Sequence, residues 1–121
     1  MDQDQRGQAV YERLVAVARA RGTITYREVA ALAGLDLSRE EDRRRLAQLL
    51  RAISTAEHRH GRPLLSAVVI HRARHQPGAG FFSLAQELGL LEDAHDREAR
   101  ERFYRAELAR VHEAWAGPSG R

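Results

Sequence analysis

The chain has 121 residues, 43% hydrophobic and 31% charged, with six histidines, no cysteine and a formal net charge of +3. That is the size and balance of one globular domain, large enough to bury a core without disulfide or metal staples. The missing thiols exclude a cysteine nucleophile and a cysteine-bound metal, and since all 20 basic residues are arginine, lysine Schiff bases and phosphate-loop lysines are excluded as well. No apolar run approaches the roughly 20 residues of a membrane helix, and the start MDQDQRGQ lacks a signal-like stretch, so a soluble protein located by default in the cytoplasm is expected.

From Gln5 to Arg21 the apolar residues Val10, Leu14, Val17 and Ala18 recur at helical spacing, and Gly22 is placed to end that helix. Thr23-Ile24-Thr25 reads as a short extended piece in which Thr25 caps a helix over Tyr26 to Ala33, closed by Gly34. After the turn Leu35-Asp36-Leu37, Ser38 and Glu41 have the spacing of a capping box. The helix they open carries Leu46, Leu49, Leu50 and Ile53 on one face and ends between Glu57 and Gly61.

Pro63 to His71, with β-branched Val68, Val69 and Ile70, reads as a strand. A loop over Arg72 to Gly80 follows, broken by Pro77, Gly78 and Gly80. Helices are predicted over Phe81 to Leu88 and Asp93 to Trp115, the latter with Phe103, Tyr104, Leu108, Val111 and Trp115 facing inward. This order describes a mainly α fold with a small β wing: a winged helix-turn-helix-like single domain over residues 1–116 with an added C-terminal helix, and a disordered tail over 117–121.

The stretch GTITYREVAALAG resembles the opening of the helix-turn-helix in alkylguanine DNA alkyltransferases and the alkyltransferase-like proteins. Pro63 to Phe81 is similar to the segment that in that family carries the reactive cysteine and turns back as the wing, and the resemblance extends over residues 8–82. It implies a winged-helix DNA-binding domain. Where the family has a proline, cysteine, histidine, arginine motif, this chain reads Pro63-Leu64-Leu65-Ser66-Ala67, so the alkyl acceptor is missing and transfer, which needs a thiolate, is excluded. The segments GRPLL, PGAGFF and LAQELG together resemble those of a family of small bacterial proteins, a likeness that implies no activity.

Charge is concentrated mid-chain, where Arg51, Arg59, Arg62, Arg72 and Arg74 face Glu57 alone. Arg39, Arg43, Arg44, Gln48 and Arg51 lie on or beside the face of the Ser38 helix away from its leucines, where arginine suits guanine and glutamine suits adenine. Glu40, Glu41 and Asp42 stand among them, so an ordinary solvated face with intrahelical ion pairs accounts for the same pattern. Arg72, Arg74 and His75 on the wing are placed to follow a phosphate backbone. The histidines His58, His60, His71 and His75 offer imidazoles with only Glu57 nearby, a thin set for a metal, and no metal or cofactor is expected.

Ser66 lacks a nucleophile elbow, and Phe81-Phe82 suits a core better than a stacking platform. The arginines and glutamates of the last helix, Glu107 included, read as a solvated face with ion pairs. The leading expectation is therefore a non-enzymatic protein that binds duplex DNA, in a regulatory, repair or defence role. A protein-interaction module in which the arginines meet an acidic partner is the alternative, and a small histidine hydrolase a third reading.

Overall fold

A computed structural model describes residues 2–116, and the expected tail over 117–121 lies outside them. The first helix, α1 (Gln3–Arg19), opens with a capping box: the Asp2 carboxylate accepts the Gln5 amide at 2.8 Å and the Gln5 side chain accepts the Asp2 N–H. Val10, Leu14 and Ala18 along it are fully buried. It stops short of Gly22, and the residue that takes the left-handed turn is Arg21 (φ 56°), with the Gly22 amide closing onto the Val17 carbonyl.

β1 (Ile24–Thr25) leads into α2 (Tyr26–Ala33), where Thr25 and Glu28 exchange side-chain and backbone hydrogen bonds as a second capping box, and Gly34 (φ 71°) closes the helix. Arg6 Nε donates to the last α2 carbonyl, that of Ala33, at 2.8 Å and fastens α2 to α1. The capping box expected at Ser38 and Glu41 does not form. Asp36 captures both the Ser38 hydroxyl (2.7 Å) and its amide (2.9 Å), because a carboxylate two residues back is the nearer partner. Asp42, 8% exposed, accepts the Asp36 amide instead, and α3 (Glu40–Arg59) starts at Glu40 after an N-cap Arg39 whose side chain makes no capping bond.

Leu46, Leu49, Leu50 and Ile53 are buried as their spacing predicted. The elements packed most closely on α3 are a short 3₁₀ helix at Leu65–Val68, α4 and α1. That 3₁₀ helix corrects the expected strand over Pro63 to His71. The strand is confined to β2 (Val69–Ile70), and it pairs in parallel with β1, Ile24 opposite Val69 and Thr25 opposite Ile70. Leu64 through Ile70 are all buried, and an unbroken apolar run of that kind has no period to separate strand from buried turn. Ser54 on α3 pins the turn, accepting the Ser66 amide at 3.0 Å and sharing a hydroxyl bond with Ser66 at 2.6 Å.

Residues 71–76 form a tight hairpin in which His71 and Gln76 are bridged antiparallel and His75 supplies the left-handed residue (φ 56°). Neither Gly78 nor Gly80 has a positive φ, so the turn does not rest on them. The chain passes through Pro77 directly into α4 (Ala79–Glu87), which places Phe81 and Phe82 in the core.

α5 (Arg97–Ala116) begins later than Asp93 because the Asp96 carboxylate accepts the Glu98 and Ala99 amides and sets the start there. It packs on α1 and the 3₁₀ helix, with Tyr104 and Val111 buried and Phe103, Leu108 and Trp115 partly so. Trp115 stands edge-on to Tyr11 (6.5 Å), with the guanidiniums of Arg19 and Arg62 over its ring. Glu107 does not belong to the solvated face. It is 1% exposed, accepts the Leu64 amide at 2.7 Å and pairs with Arg110. Five α-helices and a two-stranded parallel sheet make up the described residues, and no helix among them is long and apolar enough to cross a membrane.

Candidate functional site

A cleft of about 420 Å³ opens between α3, the Tyr26 end of α2, the base of the hairpin and α4. Leu37, Leu46, Ala47, Leu50, Phe81 and Leu84 make its walls largely apolar. Arg43, Gln48 and Arg51, all exposed, line it from α3, since positions 43, 47, 48 and 51 recur on one face of the helix. These three expected site residues are therefore brought together.

The others are not in the cleft. Arg44 turns away and pairs with Glu40 at 3.6 Å, and Arg39 is exposed at the start of α3. Arg72, Arg74 and His75 are exposed on the hairpin beside the cleft, and among the described residues none of them is in an ion pair. Arg72 lies close enough to Glu28, together with Arg13, to help hold that carboxyl below its ordinary value, an effect owed first to the Thr25 hydrogen bonds. Arg43 donates Nη1 to the Leu37 carbonyl at 2.7 Å, and Arg51 pairs with Glu87 across to α4. Among the described residues the Gln48 side chain makes no hydrogen bond.

The wall opposite α3 is built by the parallel sheet. Because Thr25 is in register with Ile70, the next residues along each chain, Tyr26 and His71, emerge side by side, their rings 4.5 Å apart and inclined at 36°. Gly78 completes the wall: its amide donates to the Tyr26 hydroxyl at 2.8 Å, and a Cβ there would come within 3.0 Å of His71 Nε2. Space beside the His71 ring, and not backbone conformation, is what limits a side chain at this position.

Burial raises the Tyr26 phenol, keeping it protonated, and burial with the nearby Arg74 charge lowers His71 below 6.5, so its imidazole is neutral near pH 7. Ser66, the aliphatic hydroxyl in the cleft, is bonded to Ser54 and not to a histidine or carboxylate, so the arrangement offers recognition groups without an activated nucleophile.

Tyr26 and His71 are the cleft residues that the sequence alone did not single out as a pair. The only local signal was the extended Thr23-Ile24-Thr25 leading into Tyr26, and nothing in it indicates which later segment it pairs with. Of the remaining histidines, His60 donates Nδ1 to the Ala56 carbonyl at 2.8 Å and His112 donates Nε2 to the Gly22 carbonyl at 2.9 Å. Among the described residues no group of three His, Asp or Glu side chains is placed to hold a metal ion. In comparisons with protein-family models, curated proteins and solved structures, none matches this chain.

Proposed function

We propose that this chain is a non-enzymatic, winged helix-turn-helix-like protein that binds duplex DNA through the exposed face of α3 and the hairpin at residues 71–76. The observation that carries this reading is the placement of two arginine sets around one cleft: Arg43 and Arg51 with Gln48 on a helix face, and Arg72 and Arg74 on the adjoining hairpin. A helix face of that composition suits base edges in a major groove, and a basic hairpin beside it suits the neighbouring backbone. The resemblance of GTITYREVAALAG to the alkyltransferase-like proteins supports the same reading, and the absence of a thiol makes the role one of binding without transfer.

Glu40 and Glu41 at the head of α3, and Glu28 near Arg72, oppose phosphate and favour the alternative, an interaction module for an acidic protein surface. Fluorescence anisotropy with unrelated duplexes separates the two. Phosphate neutralisation gives an affinity that falls with salt at a log-log slope of about 0.9 per contact. The double variant Arg72→Ala, Arg74→Ala should bind all duplexes more weakly and lose nearly two such contacts from the slope. Arg43→Ala or Gln48→Ala should instead cost about 1–3 kcal/mol at a preferred sequence and flatten the preference. Absence of duplex binding below ~50 mM salt, where the electrostatic attraction is strongest, discards the DNA reading in favour of the protein partner.

A further inference from the structure

We infer that the cleft between α3 and the Tyr26–His71 pair is a binding site for a small organic anion, a carboxylate-bearing molecule with an apolar body. Its volume of about 420 Å³ falls in the range of roughly 300–1,000 Å³ that small-molecule pockets occupy. Three features define the chemistry of the occupant. The walls are apolar, with Leu46, Leu50 and Phe81 serving both as core and as cleft surface, so an occupant gains mainly by removing that surface from water.

The polar groups of the interior are neutral and partly used: the Tyr26 hydroxyl accepts the Gly78 amide and keeps its own O–H, and Ser66 is tied to Ser54. A bare inorganic ion would find no buried charge there. The free charged capacity lies on α3, where Arg43 spends one hydrogen bond on the Leu37 carbonyl and keeps the rest of its guanidinium donors, and where among the described residues the Gln48 side-chain amide makes no hydrogen bond. No aspartate or glutamate lines the cleft, so the charge it presents is positive. An apolar body against Tyr26, His71 and Phe81 with a carboxylate at Arg43 satisfies every one of these features.

The site is independent of the DNA reading, with one exception that rests on it. A ligand at Arg43 and Gln48 covers the α3 face proposed for the duplex, so the two exclude each other.

The test uses the full chain with anilinonaphthalene sulfonate as the fluorescent probe, naphthoate and decanoate as competitors, and naphthol and decanol as uncharged counterparts. Saturable equimolar probe binding is expected, displaced by at least one carboxylate at lower concentration than by its uncharged counterpart. Arg43→Gln should weaken the carboxylate by about tenfold, as loss of a charge-assisted hydrogen bond does, and leave the uncharged counterpart unchanged. Ala47→Trp, which fills the cleft from an exposed helix position, should abolish probe binding while helical circular dichroism is retained.

Lack of saturable probe binding, failure of both carboxylates to displace it, equal displacement by the uncharged compounds, or carboxylate affinity unaffected by Arg43→Gln each overturns the site. Should Ala47→Trp not fold, Arg43→Gln decides. Duplex binding is measured on the same preparations without ligand. A chain that takes naphthoate and no duplex retains this site and loses the DNA reading, and the reverse result removes the site alone.

Discussion

His71 owes its chemistry to what surrounds it. Its ring lies against Tyr26, with Gly78 at its Nε2 edge and Arg74 on the same hairpin, and burial followed by the Arg74 charge holds its pKa below 6.5. In the unfolded chain the imidazole regains its ordinary value, so the unfolded state binds the proton first as pH falls. Stability therefore rises with pH between the lowered value and 6.5, and the His71 contribution, present above that window, is lost below it. NMR titration of the folded protein should show a His71 midpoint below 6.5, and His71→Phe should remove the part of the pH dependence of unfolding that falls in this window. Gly78→Ala tests the same packing from the other side. Its Cβ has only 3.0 Å to His71 Nε2, so overpacking should cost about 1–3 kcal/mol in denaturant unfolding and return the His71 midpoint toward that of free histidine. An unaltered midpoint in this variant would mean that the ring is not held by Gly78.

At the scale of elements, α5 is tied to the middle of the fold by a charge that its sequence pattern hides. Glu107 accepts the Leu64 amide just ahead of the 3₁₀ helix and pairs with Arg110, while Glu57 at the end of α3 receives both Arg62 Nε (2.7 Å) and Nη2 (2.9 Å). Both carboxylates are almost fully buried, and a buried carboxylate is tolerated only when its oxygens are matched by donors of this kind. Glu107→Ala leaves the Leu64 amide buried without an acceptor, and about 1–3 kcal/mol of stability should be lost in urea unfolding. Leu49→Ala on the inner face of α3 should cost more, about 2–5 kcal/mol, as large-to-small core changes do. A loss under about 0.5 kcal/mol would class the position with ordinary surface sites.

For the molecule as a whole, the arginines divide by function of place. Arg51 ties α3 to α4 through Glu87, Arg21 ties the end of α1 to α5 through Glu113, Arg62 folds back onto Glu57, and Arg45 and Arg110 pair within their own helices, whereas among the described residues Arg72 and Arg74 on the hairpin are in no ion pair. The parallel sheet is what seats that hairpin beside α3, because β2 delivers the chain to His71 at the cleft wall. The composition of the chain sets one further outcome. With no thiol anywhere in it, incubation with DNA carrying labelled alkylguanine should leave the protein unlabelled, and stoichiometric label on the protein would falsify the assignment of a purely binding role.

Features governed by neighbours three or four residues apart were legible in the sequence: the helix spacing of Val10, Leu14 and Ala18, the Thr25 cap, and the buried face of Leu46, Leu49, Leu50 and Ile53. The convergence of Arg43, Gln48 and Arg51 on one face was legible for the same reason. Where two local partners competed, spacing did not name the winner, and Asp36 took Ser38 from the box with Glu41. The run from Pro63 to His71 has no hydrophobic period, so only its surroundings, with Ser54 on one side and Ile24 and Thr25 on the other, divided it into 3₁₀ helix and strand. The cleft, the Tyr26–His71 pair and the buried Glu107 depend on segments far apart in the chain. Their contacts exist only after the sheet has paired and α5 has docked, and no local spacing encodes which distant segment provides the partner.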